Sequence, residues 1–282
     1  MRRRSVRGLA RVGALLLVSL LALGATAPRR VKQLDVDVRT PVYRLADDLP
    51  VHRGEQHYRL HWSGFPVARV RVEMQPDDSR GGIGVEILGA THPVIDWLWR
   101  YRFEGHGWVR TDPFAPGGFV VDECENREHQ RTEIRFGEPD HGVRGIRQVR
   151  GRTKEYVFHS ANTFDIPSSV YLVLNLEYAP GARFALDAFT GKSRYLVRIE
   201  VQEREEVVLA GERHDAWRLR LESEELTDDD PEGRHRETLV WVTQERPRRL
   251  LRASSRTFVG AIHLELEAEG APHEHIRGGT CT

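Results

Sequence analysis

Strict alternation of apolar and polar residues is the feature that most limits what this chain can fold into. Tyr58, Leu60 and Trp62 alternate with polar neighbours, and the same two-residue period returns in several later segments. This period is typical of a strand with one buried face and one face in water. About a dozen short strands at such spacing predict a sandwich or a barrel.

One segment, residues 165–184, departs from this pattern and predicts a helix. Pro167 and Ser168 suit a helix start, because serine can cap free backbone N–H groups and proline needs no donor there. A nearly unbroken apolar run occupies residues 170–176, and the Pro-Gly pair at 180–181 should end the helix. A helix that is apolar on almost every side is usually buried. The predicted fold is therefore mainly β, an antiparallel curved sheet or partly open barrel with one buried α-helix.

Glycine and proline clusters indicate where the strands end. Gly105, His106 and Gly107 predict a hairpin turn, residues 113–118 predict a loop, and Asn126 lies at the centre of another predicted hairpin. The secondary structure of residues 92–99 is ambiguous. One interpretation is a short helical turn that presents Trp97 and Trp99.

The chain divides into four predicted parts. Residues 1–27 form a signal peptide or an N-terminal anchor, and residues 28–54 form a lead-in segment with one strand at 34–38. A single β-rich domain covers residues 55–269, and residues 270–282 form a disordered tail.

The N-terminal segment predicts export. Five arginines precede an apolar run at residues 12–24, which has the length of a signal peptide and is short for a spanning helix. Small residues follow, and Pro28 would block a cut after Ala27, so cleavage is expected near Ala25. The alternative is an uncleaved anchor. No cysteine follows the run, which argues against a bacterial lipoprotein, and the expected location is the periplasm.

Charge excludes one class of partner. The chain has 42 basic and 42 acidic residues, but five of the basic residues lie in the first 25, so the remainder carries 37 against 42, a net charge of −5. Nucleic-acid binding requires a basic surface and is not expected. The expected partners are a hydrophobic ligand or an envelope protein, with membrane contact only through an uncleaved N-terminal segment.

Cys124 and Cys281 are the only cysteines in the sequence. An exported location permits a disulfide between them. The alternative is two unpaired thiols, one of them on the tail, since the sequence does not place the two Cα atoms within bonding range.

The sequence contains no recognisable catalytic or metal-binding motif, and neither a cofactor, a metal nor a catalytic residue is predicted. His57 and His61 share one strand face, but four residues of strand span about 13 Å, whereas ligands lie about 2 Å from a metal ion. The acidic turn at 228–230 lacks the ligand spacing of a calcium loop and fits a solvated turn better.

Aromatic residues are dense around residue 100. Trp97, Trp99 and Trp108 lie within a dozen positions, together with Tyr101 and Phe103. Such a cluster is typical of a core, and the alternative is the wall of an apolar cavity beside the helix. The three tryptophans are therefore the predicted ligand-binding residues.

The chain resembles an exported bacterial family, domain of unknown function 3108, over roughly residues 55–267. The resemblance implies an envelope protein with an antiparallel, barrel-like fold, and it implies no activity and no catalytic residue. It rests on several segments: 58–64 (Tyr-Arg-Leu-His-Trp-Ser-Gly), Asp165 with Ser168 and Ser169, Gly181, Gly211 with Ala216 and Trp217, Trp241, 248–250 (Arg-Arg-Leu) and Gly260.

Three functions remain open at this stage. The first is a non-catalytic periplasmic protein that binds a lipid-like ligand or an apolar segment of a partner, favoured by export, alternation and aromatic density. The second is a structural or assembly factor of the envelope, which a barrel filled by its own side chains would favour. The third is a hydrolase with an unrecognised site, which a histidine–carboxylate pair in a cleft would favour.

Overall fold

The computed structural model describes residues 30–34, 42–46, 48–138, 142–227, 235–257 and 260–267. These residues form sixteen strands and two helices. The strands are β1 (Arg30–Gln33), β2 (Gly54–Trp62), β3 (Phe65–Asp77), β4 (Gly82–Thr91), β5 (Tyr101–Thr111), β6 (Phe114–Glu125), β7 (Glu128–Glu138), β8 (Gly142–Val149), β9 (Arg152–Phe158), β10 (Thr163–Phe164), β11 (Arg183–Phe189), β12 (Arg194–Leu209), β13 (Glu212–Glu225), β14 (His235–Thr243), β15 (Leu250–Thr257) and β16 (Gly260–Leu266). The helices are α1 (Pro93–Asp96) and α2 (Ile166–Asn175).

All sixteen strands belong to one curved sheet. Its order is β1-β9-β8-β7-β6-β5-β4-β3-β2-β16-β15-β14-β13-β12-β11-β10. Most neighbours are consecutive in the chain and antiparallel, because short turns connect them. The exceptions in direction are the two outermost pairs, β1 with β9 and β10 with β11, which are parallel. The predicted mainly β fold is thus confirmed.

Side chains bring the two ends of the sheet together. The rings of Phe158 on β9 and Phe189 on β11 meet edge to face, with centroids 5.0 Å apart. Arg194 on β12 donates to Leu34 O at 2.9 Å and to Asp187 Oδ2 at 2.7 Å, and its guanidinium lies 4.2 Å from the Phe158 ring centre. The curved sheet therefore encloses a core in the manner of a barrel.

Inward-facing side chains from around the sheet form one continuous core with α2. Helix α2 packs against β5, β6, β10 and β11, and its Tyr171 and Leu172 are fully buried. At its C-terminal end, Arg248 Nη1 donates to the carbonyl oxygens of Leu174 and Leu176, each at 2.9 Å. Helix α2 is thus held from two sides of the sheet.

The predicted helix is present, but two details were wrong. Asp165 is the N-cap, and its Oδ1 accepts from the Ser168 N–H at 2.8 Å, so Ser168 is the capped residue and not the cap. The helix ends at Asn175, before the predicted stop at 180–181. The next residue, Leu176, already has an extended backbone. The predicted burial is confirmed, although Val170, Val173 and Leu174 are only partly covered.

Two predicted turns lie inside strands. Gly105, His106 and Gly107 do not form a hairpin, because β5 continues through them, and β6 already begins at Phe114 within the predicted 113–118 loop. The two glycines serve close packing: a Cβ on Gly105 would lie 2.8 Å from the Phe119 ring. The hairpin at Asn126 is confirmed, with a positive φ of 57° at that residue.

The lead-in segment contributes directly to the sheet. Its strand is Arg30–Gln33, earlier than the predicted 34–38, and it pairs with β9. Residues 35–38 of that prediction, the signal segment, the acidic turn at 228–230 and the tail at 270–282 lie outside the described residues. The ambiguous segment 92–99 contains the single turn of α1. Within the described ranges, neither helix has the length and apolarity needed to cross a bilayer.

Candidate functional site

A groove of about 440 Å³ lies against the middle strands of the sheet, and we call it the Trp108 groove. Its lining residues include Arg80, His106, Trp108, Val120, Glu133 and Arg135. His106 and Arg135 are exposed and alternate along their strands with buried residues, so this groove opens on the outer face of β5, β6 and β7.

A β-bulge shapes the groove. Trp108 pairs with Gly118 and Val109 pairs with Pro116, which leaves Gly117 as an extra residue on β6. The Trp108 indole lies against this glycine, since a Cβ on Gly117 would lie 1.6 Å from Trp108 Cε3. Any larger residue at this position would displace the ring.

The Trp108 indole N–H is buried and has no hydrogen-bond partner among the described residues. Leaving a buried donor unpaired costs about 1–3 kcal/mol.

Helix α2 begins directly behind the groove. Gly107, which lines the groove, faces Pro167 at the start of the helix, and Asp165 precedes it. Burial raises the pKa of Asp165 to about 6, although hydrogen bonds from Ser168 and from the Gly118 N–H oppose this shift. The groove floor is thereby tied to the helix cap.

The three predicted ligand-binding tryptophans are not gathered in one pocket. Trp99 stacks on Tyr101 with ring centroids 5.4 Å apart, and its Nε1 donates to Glu125 Oε1 at 3.1 Å. Trp99 and its stacking partner Tyr101 are far from Trp108, because seven residues of β5 separate Tyr101 from Trp108, about 23 Å at strand geometry. Trp97 follows α1 and is 81% exposed. Of the three, Trp108 alone lines the groove.

A buried polar cluster inside the barrel was not predicted. Both carboxylate oxygens of Glu123 accept hydrogen bonds, one from Tyr101 Oη and one from Gln130 Nε2, and Arg147 donates to Gln130 Oε1. Burial raises the pKa of Glu123 to about 6 against these hydrogen bonds and the Arg147 charge. The sequence contained a signal for the burial of Glu123, because this residue lies on the same strand face as the inward-facing Phe119 and Val121.

This cluster is enclosed within the barrel. Tyr101, Glu123 and Gln130 are all buried and bonded to one another, so the carboxyl group faces no open cleft. Among the described side chains, no three histidine, cysteine, aspartate or glutamate residues are grouped as metal ligands would be.

Cys124 on β6 is fully buried, and its sulfur is disulfide-bonded. The sequence has one other cysteine, Cys281, which lies outside the described residues. The intrachain pair therefore stays a prediction.

Comparison with solved structures supports the barrel-like architecture. A β-barrel-like protein of domain of unknown function DUF1849 from Brucella abortus superposes with a TM-score of 0.53 at 10% identity, covering 78% of this chain and 97% of that one. This likeness concerns the fold alone.

Two further structures are more distant. One is from Parabacteroides distasonis and is provisionally described as a lipoprotein (TM-score 0.32, 11% identity). The other is from Bacteroides fragilis and is provisionally described as an exported protein with a YmcC-like fold (TM-score 0.33, 11% identity). Each covers 78% of this chain and 96% of its own.

Family membership follows from the sequence itself. Among curated proteins, no sequence is significantly similar to this chain. The family model of DUF3108, a protein of unknown function, matches residues 57–267, from within β2 to one residue past the end of β16. The chain therefore belongs to the DUF3108 family.

Proposed function

We propose that this protein is an exported, non-catalytic envelope protein that binds a lipid-like ligand in the Trp108 groove. The observation that carries the proposal is the indole of Trp108, packed against Gly117 at the wall of an open groove. The barrel interior, where such a ligand was first expected, is occupied by α2 and the continuous core.

The lining of the groove suits an amphiphile. Trp108 and Val120 offer apolar contacts, and Arg80 and Arg135 lie with His106 around them. Glu133 is the acidic lining residue, and it already pairs with Arg135 at 2.7 Å. Arg80 pairs with Asp77 at 3.7 Å and His106 with Glu104 at 3.1 Å, so the lining offers balanced charge around an apolar wall. The volume is within the usual 300–1,000 Å³ of small-molecule sites.

Export is supported by the five arginines and the apolar run that follow Met1. Its test is fractionation of a Gram-negative host that expresses the full chain, followed by sequencing of the mature N-terminus. We expect envelope material that begins near residue 26. Recovery in the cytoplasm alone, with Met1 or Arg2 at the terminus, would contradict export.

Ligand binding is tested in two ways. Mass spectrometry of the purified protein should detect co-purifying lipid, and an apolar naphthylamine probe should bind with a Kd below about 100 μM, or about −5.5 kcal/mol. Trp108→Ala should weaken probe binding at least tenfold without unfolding the protein. Trp97→Ala is the matched control, because it also removes one tryptophan but lies outside the groove.

A second candidate is a structural or assembly factor of the envelope, and the filled interior favours it. The two proposals differ in the same experiments. Absence of co-purifying lipid, together with probe binding that is absent or insensitive to Trp108→Ala, would reject the ligand-binding function and leave the assembly factor.

A further inference from the structure

Helix α1 presents an apolar face that the fold does not cover. Val94, Trp97 and Leu98 follow the i, i+3, i+4 spacing that places residues on one side of a helical turn. Their exposed fractions are 66%, 81% and 59%. Three large apolar side chains on one short turn are unusual on a surface facing only water.

Phe65 extends this face from the neighbouring strand. It is 72% exposed at the start of β3. Two residues further on, Val67 O accepts from the His92 N–H at 2.9 Å, immediately before α1 begins. We call Phe65, Val94, Trp97 and Leu98 the α1 patch.

The α1 patch stands on a fixed support. Asp96 forms an ion pair with Arg102 and accepts a hydrogen bond from Thr91 Oγ1 at 2.5 Å. Thr91 also accepts from the Tyr101 N–H at 3.0 Å. These contacts tie both ends of the connection to the sheet, so the apolar side chains project from an ordered base.

Exposed arginines lie at the same end of the sheet as the patch, Arg127 near α1 and Arg256 on β15, three strands from β3. The β6–β7 turn is joined to the strand after α1, because Asn126 N–H donates to Arg100 O at 2.6 Å, and the next residue in that turn is the exposed Arg127. In the β2–β3 turn, Ser63 N–H donates to Ala261 O, and Ala261 pairs with the exposed Arg256. The adjacent acids are engaged: Asp96 pairs with Arg102, and Glu125 accepts from Trp99.

We propose that this end of the barrel docks on the surface of an anionic phospholipid bilayer. Tryptophan favours the boundary between lipid headgroups and acyl chains, and flanking arginines attract anionic headgroups. A small projecting apolar turn, with exposed arginines at the same end of the sheet, fits this boundary better than it fits a flat protein interface, which would need a larger continuous area. The site is independent of the Trp108 groove, from which it is separated along β5.

The test is co-sedimentation of the full chain, as recovered from the expressing host, with vesicles of phosphatidylglycerol and phosphatidylethanolamine. The triple variant Val94→Ser, Trp97→Ser, Leu98→Ser should lose at least tenfold in vesicle partitioning, with unchanged circular dichroism. Val208→Ser is the matched control, because Val208 is also exposed (54%) but lies near the β12–β13 turn. All variants share the same N-terminus, so any anchor contributes equally.

Charge gives a second measurement. Arg127→Glu, 0.5 M salt, or replacement of the anionic lipid by phosphatidylcholine should each reduce binding several-fold. Equal partitioning of the wild type and the triple variant would overturn the proposal. So would a wild type that ignores vesicles but forms a dimer that the triple variant loses, because the patch would then be a self-association surface.

Discussion

Gly107 on β5 and Pro167 on α2 are packed so closely that a Cβ on Gly107 would lie 2.7 Å from Pro167 Cγ. This contact sets how near the helix start approaches the sheet. It also explains why β5 carries glycine in the middle of a strand, where glycine is otherwise unfavourable.

Gly107→Ala should therefore destabilise the fold by about 1–3 kcal/mol through overpacking. Gly84→Ala in β4 is the matched control, because its Cβ would meet nothing closer than Gln75 O at 3.8 Å. Urea denaturation of both variants makes the comparison. Equal free energies of unfolding would show that the helix start yields to the added methyl group.

Leu172→Asp should cost several kcal/mol, because the aspartate would be buried without a partner on the inner side of α2. Leu174→Asp should cost clearly less, since Leu174 is only partly covered. A cost of this size is a large share of the 5–15 kcal/mol that stabilises a typical domain. Thermal melts of the pair decide, and the reverse ranking would mean that the helix is turned the other way.

Arg194→Met should cost about 3–5 kcal/mol, because it leaves Asp187 buried without its cation and removes the donor to Leu34 O. The double variant Arg194→Met, Asp187→Leu should recover part of this loss, since no unpaired charge remains. Denaturant titrations of the single and double variants measure this coupling. A single variant within 1 kcal/mol of the wild type would show that the two ends of the sheet meet without this pair.

The raised pKa of Asp165 predicts a stability that depends on pH. Burial raises this pKa from 3.8 to about 6 in the folded chain, so between these values the folded state holds more protons than the unfolded state. The free energy of unfolding should then fall by about 3 kcal/mol as pH rises from about 4 to about 6, and level off above.

Asp165→Asn isolates this effect, because asparagine can still cap the helix but does not titrate. Subtracting the variant's pH profile from that of the wild type removes the contribution of every other group. Unfolding by urea from pH 4 to 7 gives both profiles. Parallel profiles would show that the pKa of Asp165 is the same in the folded and the unfolded chain.

The Cys124–Cys281 pair is predicted to be intact in exported protein. Peptide mapping without reduction should recover one cross-linked peptide pair, and reduction should lower the free energy of unfolding by about 2–5 kcal/mol. Cys281→Ser is expected to reproduce the reduced stability. Free thiols at both positions, or a disulfide-linked dimer, would contradict the pair.

Local sequence was sufficient for the strand-rich class and for the existence of the helix, but not for every strand boundary. Alternation in segments such as β2 reports burial on one face, which depends only on the two-residue period of a strand. The same alternation places Glu123 on the inward face of β6, together with Phe119 and Val121. Glycines were the residues whose role the sequence predicted wrongly. Those at 105 and 107 resemble a turn, but in the structure they make room for Phe119 and Pro167, which come from other parts of the chain.

The sequence by itself determined the β-rich class, the basic and apolar N-terminal segment, the family and the position of α2, because each depends on neighbouring residues. Tertiary structure alone decided the separate surroundings of the three tryptophans. Trp99 stacks on Tyr101, Trp108 lies on the Gly117 bulge, and Trp97 projects from α1. These surroundings depend on strand direction and on partner residues from distant segments. Nearness in sequence predicts neither of these.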